Sequence, residues 1–297
     1  MSVSEEPVAV VDLGTNSCLL LVGRCGGDGG LEVLLDRSEV PRMGEGLDRT
    51  GRVGAAALAR LKDVLASYLS AARALGAPGL RVGGTAALRR ATNQAEVLAA
   101  LAGPGIELEV IGEEREARMG WLAAAPANGV LDVGGGSTEV ALDGGRAWAS
   151  APVGATVLVE RVADAGGEGF EALVVEASRV LAEAYAGLEV GEPNGWVALG
   201  GTPTNLASLC LGLPRFDHLA VEGALCTRSD AARWGAELAS RTLEERLELP
   251  IEASRARVLH GGMAILVAAM ERLGLFEVRV TGRGLRYGYL SEQLSMR

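Results

Sequence analysis

The chain carries one pattern twice: an apolar run that ends near an aspartate, a glycine-containing turn and a second apolar run. The first copy occupies residues 8–22 around Asp12, and the second occupies residues 130–141 around Asp132. Two apolar runs on either side of such a turn predict a β-hairpin. Because 297 residues exceed what one hydrophobic core usually serves, the repeat predicts two similar α/β domains. We place these domains at residues 1–126 and 127–297, with the last helix able to pack back on the first domain.

The turns of both hairpins have the composition of an anion-binding loop. We expect a left-handed backbone at Gly14, Gly134, Gly135 and Gly136, so that several N–H groups point at one phosphate. The side chains that can add donors are those of Thr15, Asn16, Ser17, Ser137 and Thr138. Asp12 and Asp132 end their strands, so each would lie beside a turn and face a metal ion or an attacking water.

A third glycine-rich turn follows a strand predicted at residues 196–199 and precedes a helix. Its residues Gly200, Gly201 and Thr202 would place backbone N–H groups at a helix N-terminus, where anions bind favourably. Any one of these turns, taken alone, is most simply a structural turn. Two hairpin copies in one chain favour a shared phosphate-binding role instead.

Hydrophobic spacing and turn residues predict the remaining elements. We expect Ser229 to cap a helix at 230–239 and Ser254 to cap a helix at 255–273. Residues 41–54 are rich in glycine and arginine and predict a loop. Further helices are predicted at 55–75, 94–101, 113–124, 155–162 and 170–186, and further strands at 31–37, 80–84, 107–111 and 278–280.

The charge balance limits the classes of partner. The net charge is −10, which argues against non-specific binding to nucleic acid or to an anionic membrane. Lys62 is the only lysine, so a phosphate site here needs arginine, backbone N–H groups or a metal ion. If they converge, ten arginines could line a channel for a polyanion: Arg24, Arg42, Arg49, Arg52, Arg89, Arg90, Arg255, Arg257, Arg283 and Arg286. If they scatter, they would favour a small nucleotide over long polyphosphate. Residues 1–7 lack the pattern of a signal peptide, and the longest apolar stretch, 258–270, is too short to span a bilayer. With four cysteines in no C-x-x-C spacing and only two histidines, we expect reduced thiols in a cytoplasmic protein and no zinc site.

Two strings carry a resemblance to a known family. Asp12-Leu-Gly-Thr-Asn-Ser17 and Asp132-Val-Gly-Gly-Gly-Ser-Thr-Glu139 resemble the two phosphate motifs of the exopolyphosphatase/guanosine pentaphosphate phosphohydrolase (Ppx/GppA) family. The similarity continues in order along nearly the whole chain, through residues 85–89, 116–118, 152–154, 200–202, 255–261 and 284–286. The family belongs to the actin-like ATPase superfamily, so the resemblance implies an α/β fold of two ribonuclease H-like domains with a cleft between them.

The resemblance also implies an activity and residue roles. The reaction would release the terminal orthophosphate of inorganic polyphosphate by metal-assisted attack of water. Glu116 would be the general base, and Arg89 would neutralise charge on the transferring group. Asp132 and Glu139 would hold Mg²⁺ or Mn²⁺, with Asp12 as a further candidate ligand, while Ser137 and its neighbouring N–H groups would bind phosphate. The chain resembles the short form of the family, without a C-terminal helical domain, and the resemblance leaves room for a homodimer.

The chain departs from the family pattern at three positions. Glu113 stands where glycine is usual, Arg115 replaces an acidic neighbour of Glu116, and Tyr287 follows the late Gly-Leu-Arg motif where glutamate is common. The first two departures leave open whether Glu113 or Glu114 shares the role of Glu116.

Three other functions stay open. Guanosine pentaphosphate 5′-phosphohydrolase activity, instead or in addition, is weakly disfavoured by the 4% aromatic content, which offers few flat surfaces to a base. A non-catalytic sensor of an alarmone or nucleotide would not need Glu116. An ATP-dependent kinase would need a motif for a second substrate, and none is visible.

Overall fold

The computed structural model describes residues 6–27, 30–167, 169–192 and 194–295. The chain packs into two compact units: residues up to Ala123 and from Leu285 onward form unit 1, and Ala124–Gly284 form unit 2. Residues 1–5 of the acidic start lie outside the described part. The domain boundary at 126/127 stays a prediction. A domain is a segment that folds independently, and the packing of the chain into two units does not measure independent folding.

Unit 1 is built on a five-stranded sheet in the order β3-β2-β1-β4-β5. Its strands are β1 (Val8–Leu13), β2 (Cys18–Cys25), β3 (Leu31–Glu39), β4 (Leu80–Gly84) and β5 (Ile106–Val110). β1, β2 and β3 are antiparallel neighbours, whereas β1, β4 and β5 run parallel to one another. The carboxyl ends of the three parallel strands therefore share one edge of the sheet, where α/β folds commonly bind ligands.

The helices of unit 1 pack on this sheet. They are α1 (Leu47–Thr50), α2 (Ala55–Ala74), α3 (Ala86–Arg90), α4 (Gln94–Leu101), α5 (Glu113–Ala124) and the last helix of the chain, α12 (Leu285–Ser295). Because side chains alternate along a strand, β1 contributes to two cores. Val11 and its like-facing neighbours pack with α2 and α4, whereas Val8 and Val10 pack with α5 and α12.

Unit 2 repeats the arrangement on a six-stranded sheet in the order β10-β11-β9-β6-β7-β8. Its strands are β6 (Gly129–Val133), β7 (Thr138–Leu142), β8 (Ala147–Ala151), β9 (Trp196–Leu199), β10 (Leu225–Thr227) and β11 (Glu277–Val280). β6, β7 and β8 are antiparallel, as β1, β2 and β3 are in unit 1, and β9 and β11 continue the sheet parallel to β6. The duplication in sequence is thus a duplication in structure, and the predicted pair of ribonuclease H-like α/β units is confirmed.

The last helix of unit 2, α11 (Leu259–Arg272), is almost wholly buried. It packs against α6 (Ala155–Asp164), α7 (Gly169–Ala184), α8 (Gly201–Cys210) and α9 (Arg228–Ser240). The remaining helix of this unit is α10 (Leu243–Leu247). None of the helices in the described ranges is long and apolar enough to cross a membrane, and all four cysteines are free thiols.

Some local predictions are wrong. The helix expected after Ser229 begins at Arg228, because Thr227 and Asp230 form a reciprocal capping box. The helix expected after Ser254 begins at Leu259, because residues 253–255 form a separate 3₁₀ turn. β8, β10, α3 and α10 were not predicted, since segments of three to five residues are too short to show a clear period.

Candidate active site

The two predicted phosphate loops have the same geometry. The N–H of Gly14 donates to the carbonyl of Ser17 at 2.9 Å, and the N–H of Gly134 donates to the carbonyl of Ser137 at 3.1 Å. A Cβ on Gly14 or Gly134 would lie 3.3 Å or 3.0 Å from the same carbonyl oxygen. The left-handed backbone predicted at Gly14 and at 134–136 is wrong, because the described glycines with positive φ do not include them. At Gly14 and Gly134, close approach of the backbone across the turn is what favours glycine.

Asn16 brings an unsatisfied donor to the loop of unit 1. Thr15 and Asn16 are buried, with 5% and 8% of their surfaces exposed. The amide nitrogen Nδ2 of Asn16 is buried without a hydrogen-bond partner among the described residues. An unpaired buried donor costs about 1–3 kcal/mol, so a bound oxygen atom at this position would stabilise the loop. Ser17, which ends the turn, is half-buried.

Arg89 and Glu116 meet near the carboxyl edge of the unit 1 sheet, where α3 follows β4 and α5 follows β5. Nη1 of Arg89 donates to Oε2 of Glu116 at 2.5 Å and to the Ile111 carbonyl at 2.8 Å. Only 17% and 11% of the Arg89 and Glu116 side chains are exposed. The ion pair places the Arg89 guanidinium directly against the carboxylate of the candidate base.

The acidic residues before Glu116 differ in their contact with Arg89. Oε1 of Glu113 lies 3.9 Å from Nε of Arg89, and about half of the Glu113 side chain is exposed (49%). Glu114 is exposed. The structure therefore brings Glu116, and at a longer distance Glu113, to Arg89.

The two other departures from the family pattern serve the docking of α12. Arg115 donates through Nη1 to Glu109 of β5 at 2.5 Å and through Nη2 to Glu292 of α12 at 2.7 Å. Tyr287 of α12 donates its hydroxyl to Asp36 of β3 at 3.0 Å. Arg115 thus links α5, the helix that carries the candidate base, to β5 and α12.

Asp132 on β6 and Glu139 on β7 are directly opposite in the antiparallel ladder. Side chains at such positions lie on the same face of a sheet, with Cβ atoms about 4.5–5.5 Å apart. Glu139 is buried, with 4% exposed, and accepts a hydrogen bond from Oγ of Ser150 at 3.1 Å. Burial raises the pKa of Asp132 to about 6, and the charge of Arg255 offsets part of that rise.

This carboxylate pair fits a magnesium ion in number and kind of ligand. Mg²⁺ is usually held by one or two carboxylates, with waters and phosphate oxygens completing the octahedron. Within the described ranges no group of three or more His, Cys, Asp or Glu side chains is arranged to hold a metal. The candidate ligands are therefore Asp132 and Glu139 in unit 2. Asp12, the predicted third ligand, lies one residue before the end of β1 in unit 1 and is half-buried beside the loop there.

The third predicted loop lies against Asp132. Gly200 has φ = 93°, and a Cβ there would lie 3.0 Å from Oδ1 of Asp132. A Cβ on Gly201 would lie 1.9 Å from the guanidinium of Arg255, so this cation covers the start of α8. Thr202 is 1% exposed. The backbone of this loop lies close to Asp132, and Arg255 covers its start. The sequence offered Arg255 only as one of the arginines that could line a channel, and it begins one of the segments that resemble the family.

Ser137 and Thr138 differ in what their hydroxyls can do. Oγ1 of Thr138, a fully buried residue, donates to the carbonyl of Val153 at 2.6 Å. The hydroxyl proton of Thr138 is used in this bond and is not available to a phosphate. Ser137 ends the turn itself and keeps 6% of its surface exposed, so of the two hydroxyls that of Ser137 is the better placed to reach a phosphate.

The start of α6 supports the glycine turn of unit 2. The N–H groups of Ala155 and Thr156 donate to the carbonyls of Gly134 and Gly135 at 2.9 and 3.0 Å. A Cβ on Gly154 would lie 2.4 Å from the backbone of residues 135 and 136. Gly154, in the segment 152–154 that resembles the family, therefore packs directly on the turn.

Comparison with known proteins agrees with this geometry. Fold and site together define a class of two-unit α/β proteins with a duplicated glycine-containing turn. The Ppx/GppA phosphatase family matches residues 25–296. Exopolyphosphatase 2 of Mycobacterium tuberculosis is 31% identical, over 92% of this chain and 94% of its own length. The chain belongs to the Ppx/GppA phosphatase family.

Other relatives and solved structures complete the comparison. The guanosine-5′-triphosphate,3′-diphosphate pyrophosphatase of Aeromonas hydrophila is 29% identical over 95% of this chain, which spans 58% of that relative. The crystal structure of the Aquifex aeolicus Ppx/GppA family member has 28% identity and a TM-score of 0.75, covering 98% of this chain and 99% of its own. An exopolyphosphatase-like protein superposes with a TM-score of 0.87 at 24% identity over 98% and 99% of the two chains, which shows the shared fold.

Proposed function

We propose that this protein is an exopolyphosphatase, which breaks the terminal phosphoanhydride bond of inorganic polyphosphate with water. The oxygen of the water forms a bond to the terminal phosphorus, the bridging oxygen leaves with the shortened chain, and orthophosphate is released. The observation that carries the proposal is the four-residue turn built twice with the same closing hydrogen bond, once with a buried donor that lacks a partner. Phosphoryl transfer needs mainly positioning and charge stabilisation, which two such turns can supply.

Each candidate residue has a role that follows from its surroundings. Glu116 accepts the proton of the attacking water, since its carboxylate is largely shielded from solvent and is held in place by Arg89. Arg89 also stabilises negative charge on the transferring phosphate. Asp132 and Glu139 would hold Mg²⁺ or Mn²⁺, which when bound neutralises charge on the phosphate oxygens. The turn at 14–17 in unit 1 and the turn at 134–137 in unit 2 bind phosphate oxygens.

Two observations favour polyphosphate over guanosine pentaphosphate. A relative that is 31% identical over 92% of this chain is named exopolyphosphatase. Few aromatic side chains are available to stack on a base. Guanosine pentaphosphate hydrolysis stays the second candidate because a relative at 29% identity carries that name. The homodimer and the cytoplasmic location stay predictions.

The test compares phosphate release by the wild type, by Glu116→Gln and by the matched control Glu114→Gln. Each protein is assayed with Mg²⁺ on polyphosphates of several lengths and on guanosine pentaphosphate. We expect Glu116→Gln to lower kcat on polyphosphate by about 10²–10⁴-fold, the usual contribution of a general base, with little change in KM. Glu114 lies on the same helix but is exposed, so its substitution should leave kcat within about twofold.

Three outcomes would contradict parts of the proposal. Full activity of Glu116→Gln would remove Glu116 as the base. A wild-type preference for guanosine pentaphosphate would replace the substrate. Binding of either substrate without any turnover would favour the non-catalytic sensor.

A further inference from the structure

Arg42 has a backbone conformation that residues with a Cβ avoid. Its φ is +53°, and Asp143 is the other non-glycine residue with positive φ in the described ranges. The left-handed region costs such a residue about 1–3 kcal/mol. Two backbone hydrogen bonds impose it: the N–H of Arg42 donates to the Asn16 carbonyl at 3.0 Å, and its carbonyl accepts from the N–H of Glu45 at 3.1 Å. Glycine would adopt this conformation without strain, so the presence of arginine points to a use for its side chain.

The side chain of Arg42 has no partner among the described residues, although the residue is half-buried. The other half-buried arginines of the described ranges each contact a carboxylate, a carbonyl, an amide or an aromatic ring. A partly desolvated cation without a counter-charge is unfavourable. Arg42 therefore has the surroundings of a residue that meets an external anion.

Arg42 lies beside the turn of unit 1 at residues 14–17. It is hydrogen-bonded through its backbone to Asn16, the residue whose Nδ2 is buried without a partner and which is 8% exposed. Two residues further on, the N–H of Gly44 donates to the Thr15 carbonyl at 2.7 Å, and a Cβ on Gly44 would lie 2.2 Å from Cγ2 of Thr15. Residues 42–44 thus pack directly on the turn. Arg42, whose side chain lacks a described partner, and Asn16, whose buried Nδ2 lacks one, are joined there through their backbones.

We propose that Arg42 and Asn16 form an anion subsite that binds a phosphate group of the chain other than the one being transferred. This inference rests on the proposed function. A guanidinium can bind two phosphate oxygens at once, and Nδ2 of Asn16 can donate to a third. Arg89 already supplies a cation beside Glu116. Arg42 is then a specificity-determining residue that distinguishes a polyphosphate from a compound with a single phosphate.

The experiment uses methylenediphosphonate, a diphosphate analogue whose P–C–P bridge resists hydrolysis, as the probe. Its affinity is measured by titration calorimetry with Mg²⁺, beside KM and kcat on polyphosphate and the urea midpoint. The variants are Arg42→Gly, Arg42→Lys and the matched control Asp143→Gly, which relieves the other left-handed residue. Asn16→Asp, which is nearly isosteric and replaces the donor by an acceptor, is the second test of the subsite.

We expect Arg42→Gly to weaken probe binding and raise KM by about tenfold or more, with kcat within about threefold and the urea midpoint unchanged or higher. Arg42→Lys should bind the probe more tightly than Arg42→Gly and more weakly than the wild type, because lysine keeps the charge and loses the two-oxygen contact. Asn16→Asp should also weaken probe binding, and Asp143→Gly should bind the probe as the wild type does.

Wild-type probe binding by both Arg42→Gly and Asn16→Asp, in an enzyme that hydrolyses polyphosphate, would overturn the subsite and leave the proposed function standing. A wild type that releases no phosphate would overturn the proposed function, whereas the probe titration would still report on the subsite.

Discussion

The ionised form of Asp132 would serve metal binding, yet it lowers the stability of the fold. Burial raises its pKa to about 6 from an ordinary value of 3.8. Because the folded state binds this proton more tightly than the unfolded state, stability falls as the pH rises from about 4 to about 6, and the loss is complete above that range. A divalent cation favours the carboxylate and would offset the loss.

Asp132→Asn is therefore expected to be more stable than the wild type at pH 8 by about 1–3 kcal/mol and nearly equal to it at pH 4. The amide of asparagine resembles the protonated acid in shape. The stability gain of Asp132→Asn at pH 8, less the gain at pH 4, therefore measures the cost of ionising Asp132. Urea unfolding at pH 4, 6 and 8 measures it, with Asp143→Asn at an exposed position as the control. The same stability difference at pH 4 and pH 8 would show that ionisation of Asp132 has no such cost.

Single residues also show where sequence reasoning stops. The glycines of the two turns were located correctly, yet the reason given for Gly14 was wrong, because backbone proximity is visible only in three dimensions. Arg42 and Arg255 were predicted only as two of ten arginines that could line a channel, with no role at a particular site. Each depends on a contact with a distant segment, Asn16 for Arg42 and Gly201 for Arg255, which no local period encodes.

At the scale of elements, α12 supports the helix that carries the candidate base. Gly288 of α12 packs so closely on α5 that a Cβ would lie 2.0 Å from the carbonyl oxygen of Met119. Met119 is one turn after Glu116 on the same helix. The position of Glu116 therefore depends on a helix that is distant in sequence.

Gly288→Ala should separate α12 from α5, lowering the free energy of unfolding by about 1–3 kcal/mol and reducing kcat on polyphosphate. Ser295→Ala, at an exposed position of the same helix, is the control and should change neither quantity. Urea titration and steady-state kinetics provide the two measurements. Wild-type stability in Gly288→Ala would mean that the contact with Met119 is not maintained in solution.

Elements with a strong pattern were the predictable ones. The strand at Trp196–Leu199 and the helix at Glu113–Ala124 have the bounds predicted for them, since each has a clear apolar run or period and a glycine or acidic boundary. β8 and β10 were missed because Ala147–Ala151 is rich in alanine and Leu225–Thr227 has three residues. Their pairing with β7 and β11 decides their conformation.

At the scale of the whole molecule, the two units differ in how the chain builds them. Unit 2 is one continuous segment, whereas unit 1 needs α12 from the far end of the chain. Without that helix, Val8, Val10 and Leu21 would lose the apolar partners Tyr289 and Leu290. A division at 126/127 therefore leaves the N-terminal piece without α12, which belongs to its own unit.

We predict that a fragment of residues 127–284 unfolds cooperatively in urea, whereas residues 1–126 alone do not. Joining residues 285–297 to the shorter fragment through a flexible linker should restore a cooperative transition, because it supplies the missing side of the core. Far-UV circular dichroism during urea unfolding makes the comparison. Cooperative unfolding of residues 1–126 without the helix would contradict this division.

The most direct test of the function follows the oxygen of the attacking water. Tripolyphosphate is hydrolysed in water enriched in oxygen-18, and the initial products are examined by ³¹P NMR. If water primed by Glu116 attacks the terminal phosphorus, we predict one oxygen-18 in each released orthophosphate, none in the remaining diphosphate, and almost no release by Glu116→Gln. Oxygen-18 in the diphosphate with unlabelled orthophosphate, or undiminished release by Glu116→Gln, would contradict the proposed reaction.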